Sequence, residues 1–115
     1  MHKTNSTLEL VKKARTLIED KKGTDIIVYD VSRISGVTDY YLIASGTSTP
    51  HLGAISESIV TEFKKSGIQC SHKAGNMESG WLVIDYLNMV IHLFRPDVRT
   101  YYSIEELWAK APRVN

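Results

Sequence analysis

The stretch that most constrains this chain lies between residues 80 and 95. Two short runs rich in β-branched and aromatic side chains, 80–85 and 88–95, are separated by too little chain for anything but a tight hairpin. Side chains alternate across a strand with period two. With Tyr86 and Leu87 as the central turn residues, Asp85 faces Asn88, Val83 faces Val90 and Trp81 faces His92. One side of the hairpin then carries Leu82, Ile84, Tyr86, Met89, Ile91 and Leu93, which is almost wholly apolar and belongs against helices. The other carries Trp81, Val83, Asp85, Asn88, Val90, His92 and Phe94. An indole, a carboxylate, an amide and an imidazole on one sheet surface are costly to bury without partners, so this mixed face is either solvated or meets something. An aromatic anchor beside a few charged or amide groups has the composition of an interface hot spot. The competing reading packs Trp81 under a loop and makes His92 a core histidine bonded to Asp85 or to backbone.

The remaining elements follow from spacing. Ser6-Thr7-Leu8-Glu9 fits a capping box, so a helix starts there, and Leu10, Val11, Ala14, Leu17 and Ile18 form its apolar stripe until Gly23 supplies a left-handed stop. A strand over 25–31 is apolar enough to be covered on both faces, residues 32–38 form a loop, and a second strand runs over 39–45. Thr49 caps a second helix with Pro50 at its first position, and Leu52, Ile55, Ile59 and Phe63 are its buried stripe until Gly67. A weak strand over 68–74 and a polar turn over 75–79 precede the hairpin, which Pro96 stops. Ser103-Ile104-Glu105-Glu106 is a second capping box, opening a short helix through Trp108, after which the chain frays past Pro112. The strand-helix-strand connection permits a parallel pair and the hairpin demands an antiparallel one. The expected fold is therefore a single α/β (α+β) domain over 1–115 with a mixed, about five-stranded sheet packed with helices.

Composition narrows the chemistry. The chain has 115 residues with one cysteine, Cys70, and four scattered histidines, so no internal disulfide and no zinc-ligand spacing is available. No apolar run approaches the roughly 20 residues that cross a bilayer, and the N-terminus lacks the apolar core of a secretory signal, which points to the cytoplasm and away from a membrane. Fourteen basic against thirteen acidic side chains imply no broad grip on nucleic acid. The first helix does carry Lys12, Lys13, Arg15, Lys21 and Lys22 against Glu9, Glu19 and Asp20, a mixture that reads as a solvated face or, alternatively, as a general RNA-binding module.

An enzyme is the other rival. The segment Ser45-Gly46-Thr47-Ser48-Thr49-Pro50 joins a strand to a helix N-terminus, where amides and the helix dipole could hold a phosphate, as in a degenerate or active nucleotidyltransferase-like nucleotide-binding enzyme. Two-metal nucleotidyl transfer also needs paired carboxylates, and the next acids, Glu57 and Glu62, fall inside the predicted helix. Ser, His and Asp occur without a Gly-x-Ser-x-Gly elbow. The hydroxyls therefore read as helix caps, His51 and His72 as surface residues, and Cys70 as a weakly buried strand residue. No enzymatic activity, metal or cofactor is expected.

Five motifs in order carry a resemblance. They are the run from Thr38-Asp39-Tyr40-Tyr41 to Gly46-Thr47-Ser48, then Gly80-Trp81-Leu82-Val83-Ile84-Asp85-Tyr86, Val90-Ile91-His92-Leu93-Phe94-Arg95-Pro96, Arg99-Thr100-Tyr101-Tyr102, and Leu107-Trp108. Together they closely resemble the ribosomal silencing factor family, also called the Iojap-like or RsfS family. Two departures stand out: Asp85-Tyr86-Leu87-Asn88 where the family commonly has Asp-Tyr-Gly-Asp, and Ile104 where it has leucine. The resemblance implies a nucleotidyltransferase-like topology and a homodimer when free. It also implies binding to the large ribosomal subunit through ribosomal protein L-fourteen, with steric obstruction of small-subunit joining that lowers translation under nutrient limitation. No specific nucleic-acid sequence would be read. Carried over position by position, Asp39, Tyr40, Trp81, Asp85, His92 and Tyr101 are the residues it implies for the partner surface.

Overall fold

A computed structural model of the chain describes residues 3–34, 36, 38–76 and 78–114, with side chains described from residue 7 onward. The Ser6 side of the first capping box, Ser35 and Val37 of the predicted loop and Met77 of the predicted turn lie outside the described residues. Helix α1 spans Lys3–Asp20 and strand β1 Thr24–Asp30; β2 spans Tyr40–Ser45, and α2 Thr49–Lys65. Strands β3 (His72–Asn76), β4 (Trp81–Asp85) and β5 (Met89–Phe94) follow, then helix α3 (Pro96–Tyr102), a 3-10 turn (Ile104–Trp108) and a short β6 (Arg113–Val114). The strands form one six-stranded sheet in the order β3-β4-β5-β2-β1-β6. The sheet is mixed, as expected, with β2 and β5 parallel and the neighbouring pairs antiparallel.

The sequence places β3 after the crossover helix in the right direction but not in the right place. Strand β3 runs parallel to β2 yet sits at the far edge, and the chain returns through β4 so that β5 takes the position beside β2. That arrangement puts the most apolar strand in the middle, where all six residues of β5 are buried. β3 itself is displaced from the predicted 68–74, because exposed Lys73, Gly75 and Asn76 suit an edge that only one neighbour covers.

Helices α1 and α2 cover one face of the sheet. Val11, Ala14 and Ile18 from α1, and Leu52, Ile55, Ile59 and Phe63 from α2, bury against Leu42, Ala44, Ile84, Met89, Ile91 and Leu93. Helix α1 begins at Lys3, three residues before the predicted cap, so Ser6 and Glu9 lie within it. Its end is tighter than foreseen. Lys22 takes the left-handed backbone, at φ 67, and the Gly23 amide donates to the Ile18 carbonyl at 2.8 Å, a six-to-one closing bond. Gly23 is needed for close approach, since a Cβ there would press into the Ile18 side chain. Helix α2 is capped by Ser48, not Thr49: its backbone is extended, its hydroxyl accepts from the His51 amide at 3.2 Å, and Pro50 sits in the first turn.

Candidate functional site

The hairpin pairing is offset by two residues from the expected one, with the turn moved one residue along the chain. Asp85 pairs with Val90, Val83 with His92 and Trp81 with Phe94, so Leu87 and Asn88 are the turn residues. The Tyr86 amide donates to Met89 at 2.8 Å and closes it. A slip of two, unlike a slip of one, leaves the strand side chains on their original faces. Asn88, however, expected on the mixed face, is a turn residue whose side-chain amide donates to the Thr7 hydroxyl of α1 at 3.5 Å. Leu82, Ile84, Met89, Ile91 and Leu93 meet the helices, with the Tyr86 ring edge-on to Phe63 at 5.0 Å. Trp81, Val83, Asp85, Val90, His92 and Phe94 share the mixed face. Register with β2 and β1 extends that face to Tyr41, Ile43, Ser45, Ile27 and Tyr29.

This second face is neither bare nor fully covered. Pro96 ends β5 and also opens α3, which the sequence reading had left out, and residues 96–114 fold back across the mixed face as a strap. Arg99 holds the strap down. It is buried, its Nη1 donates to the Ser45 hydroxyl at 2.7 Å, and its Nε pairs with Glu105 at 3.2 Å. Arg95 adds a bond to the Thr49 hydroxyl and another to the Glu78 carbonyl, each 3.3 Å, and its ion pair with exposed Asp97 holds that carboxyl below its ordinary range. The second predicted capping box does not form. Ser103 takes left-handed backbone at φ 48 that ends α3, its hydroxyl donates to the Thr100 carbonyl, and a 3-10 turn follows. The strap does not fray past Pro112, whose carbonyl accepts from the Asp30 amide at 2.8 Å as β6 pairs with β1.

Under the strap lies a chain of ring contacts. Trp81 stacks on Phe94 at 5.1 Å and meets Tyr102 at 4.9 Å, while Tyr41 stacks on Trp108 at 4.6 Å and meets His92 at 5.5 Å. The Trp81 indole donates to Nδ1 of His92 at 3.1 Å, so the imidazole is an acceptor at that nitrogen and carries its proton on Nε2. His92 is only 7% exposed, and burial pushes its pKa down to about 4. Burial, aided by the nearby Asp85 carboxylate, raises the Tyr41 phenol. Outside these contacts the strap presents Tyr101, Tyr102 and Leu107 to solvent, Tyr101 being 81% exposed with its ring edge-on to Tyr102 at 5.0 Å.

Of the six residues the resemblance implies, the structure brings half-buried Trp81 and Asp85 to the mixed face and joins Tyr101 to them through Tyr102. His92, by contrast, lies buried beneath the strap, where it holds the Trp81 indole instead of meeting a partner. Asp39 stands half-buried at the end of the sheet, its amide donating to the Asn88 carbonyl at 3.2 Å. Tyr40 points the other way. It is buried against the helices, and desolvation with Asp30 and Asp39 nearby raises its hydroxyl pKa. Sequence reasoning passed over Tyr41, Tyr102 and Trp108. Alternation along β2 separates Tyr41 from Tyr40, but which of them joins the mixed face depends on the pairing with β5, and the other two depend on how the strap folds.

The loop 45–50 is occupied by its own contacts. The Gly46 amide donates to Phe94 at 2.9 Å, the Thr47 amide to Nδ1 of His51 at 2.8 Å, and Ser48 and Ser45 hydroxyls serve the helix cap and Arg99. His51 is accordingly no loose surface residue: its Nε2 reaches the Lys21 carbonyl at 2.6 Å and ties the start of α2 to the end of α1. Cys70 is half-buried against the helix-side core just before β3, and His72 is exposed on it.

The fold and this face define a class: a single α+β domain whose mixed sheet has helices on one side and, on the other, a strapped aromatic surface. Comparison with known proteins narrows it. Residues 4–115 match the family model described as ribosomal silencing factor during starvation. The chain is 37% identical over 103 residues to "Ribosomal silencing factor RsfS" of Bacillus subtilis, covering 90% of this chain and 87% of that protein. It is 36% identical over 98 residues to mouse "Mitochondrial assembly of ribosomal large subunit protein 1", covering 81% of this chain and 42% of that one. A solved structure of a Chromobacterium violaceum protein superposes with a TM-score of 0.84 at 32% identity, covering 89% of this chain and 85% of the other. The chain belongs to the ribosomal silencing factor family.

Proposed function

We propose that this chain binds the large ribosomal subunit through ribosomal protein L-fourteen and keeps the small subunit from joining by occupying its place, so that translation falls when nutrients are scarce. The observation that carries this reading is the exposed aromatic crest of Tyr101 and Tyr102 continuous with Trp81 on the face that holds Asp85. Rings braced by edge-on and tilted contacts with their neighbours lose less freedom on docking, and such anchors beside a carboxylate suit a basic protein surface. Asp39 and Asp85 attract lysine and arginine but repel phosphate, which favours the protein component of an RNA-rich particle over its RNA. Membership of the family and the names of its members support the ribosome as the target. Exclusion by overlap requires no chemistry, so no catalytic step is assigned, and the cytoplasm is the compartment such a role implies. When free, the chain forms a homodimer.

Tyr101→Ala tests the surface with little risk to the fold, because the side chain is 81% exposed. Excess unaltered chain shifts purified subunits away from joined ribosomes in sucrose gradients, and the variant needs about tenfold more protein for the same effect. Undisturbed joining in the presence of unaltered chain defeats the reading.

A further inference from the structure

The residue at the tip of the hairpin is at odds with its backbone. Leu87 has φ 71, a left-handed conformation that crowds any Cβ-bearing side chain and is a genuine outlier for a bulky one. Its side chain is nevertheless 63% exposed, so the fold recovers little burial in exchange. The conformation is imposed by neighbours. The Leu87 amide donates to the Asp85 carboxylate at 2.7 Å, and the Asn88 amide to the Tyr86 carbonyl at 2.8 Å across a three-residue turn. The Asn88 carbonyl accepts from the amides of Asp39 and Tyr40, each at 3.2 Å. The turn is thus clamped between two acidic residues, Asp39 and Asp85, and holds an apolar side chain outward on a rigid base.

We infer that Leu87 is an apolar anchor of the docking surface, seated in a hydrophobic recess of the protein partner that Asp85 and the aromatic crest engage. The inference rests on the docking reading above and extends that surface from the strap to the hairpin tip. Asp85 connects the two, since its carboxylate fixes the turn while its side chain lies beside Tyr41 on the mixed face. The Asp85 carboxylate at the base of the tip makes a basic protein the fitting occupant, whereas an RNA backbone would be repelled there. A pre-set knob also loses little conformational entropy on binding, which is the advantage a strained but rigid turn confers.

At Leu87, folding and binding respond to substitution with opposite signs. Leu87→Gly and Leu87→Asn suit the left-handed backbone, so each raises the melting temperature by about 3 °C or more. Both weaken cosedimentation with purified large ribosomal subunits about tenfold, while Leu87→Met, which keeps an apolar side chain, binds like the parent. If the stabilised variants bind as well as the parent while Tyr101→Ala is weakened, Leu87 is no anchor and the docking reading survives. If the unaltered chain does not sediment with large subunits, both fall together. A lower melting temperature for Leu87→Gly overturns the claim of strain.

Discussion

The indole N–H of Trp81 donates to Nδ1 of His92 at 3.1 Å across neighbouring strands, and this bond fixes both rings at the centre of the mixed face. Protonation of His92 would turn Nδ1 into a donor facing another donor. The bond and the burial of the ring therefore favour the same neutral state, and the polar groups that looked costly on this face satisfy one another beneath the strap.

Stability should consequently depend on pH through His92. Its folded pKa of about 4 lies below the ordinary 6.5, so the unfolded chain binds the proton more readily. The contribution is complete above about pH 7 and is lost as pH falls through 6.5 toward 4, amounting to about 3 kcal/mol across that window. His92→Gln keeps an acceptor for Trp81 and removes the titration. Urea unfolding at pH 7.5 and 4.5 will show the parent losing about 2–3 kcal/mol more than the variant. A ring that titrates near 6.5 by proton NMR contradicts this.

Arg99→Ala frees the strap. It leaves the Ser45 hydroxyl and Glu105 without their buried partner and costs about 2–4 kcal/mol. Arg99→Met, which refills the space, recovers part of that loss. Limited proteolysis will find new cleavage within residues 96–112 in the alanine variant before the sheet is attacked. Equal protease resistance in parent and variant rules out the latch.

Gly75→Ala tests the edge strand. Gly75 has φ 73, and a Cβ there would collide with the carbonyl oxygen of Trp81 on the paired strand. Backbone on both sides leaves no flexible atom to yield, so the substitution costs about 2 kcal/mol or more and loosens β3 from β4. Hydrogen exchange at the β3 and β4 amides will accelerate before that in β5; uniform protection would contradict the account.

The elements legible in the sequence are those whose signal is local. The stripe of Leu52, Ile55, Ile59 and Phe63 is buried as its spacing implied, and the hairpin faces survive an error of two residues because alternation is indifferent to an even slip. Helix α3 was missed because Pro96 both ends a strand and starts a helix, and only the first of these was read. The two-residue β6 is too short to leave a pattern. At the candidate site, the shared face of Trp81, Asp85 and His92 followed from period two, whereas only the pairing of β2 with β5 shows that Tyr41 joins them and Tyr40 does not.

Alternation and helical spacing by themselves determined which side chains share a face, and the ordered motifs determined the family, because both are written into neighbouring residues. Tertiary structure alone decided which strand lies beside β2, what covers the aromatic face and why His92 stays neutral. Those outcomes depend on groups far apart in the chain, such as Arg99 and Ser45, 54 residues from one another, whose meeting no local pattern encodes.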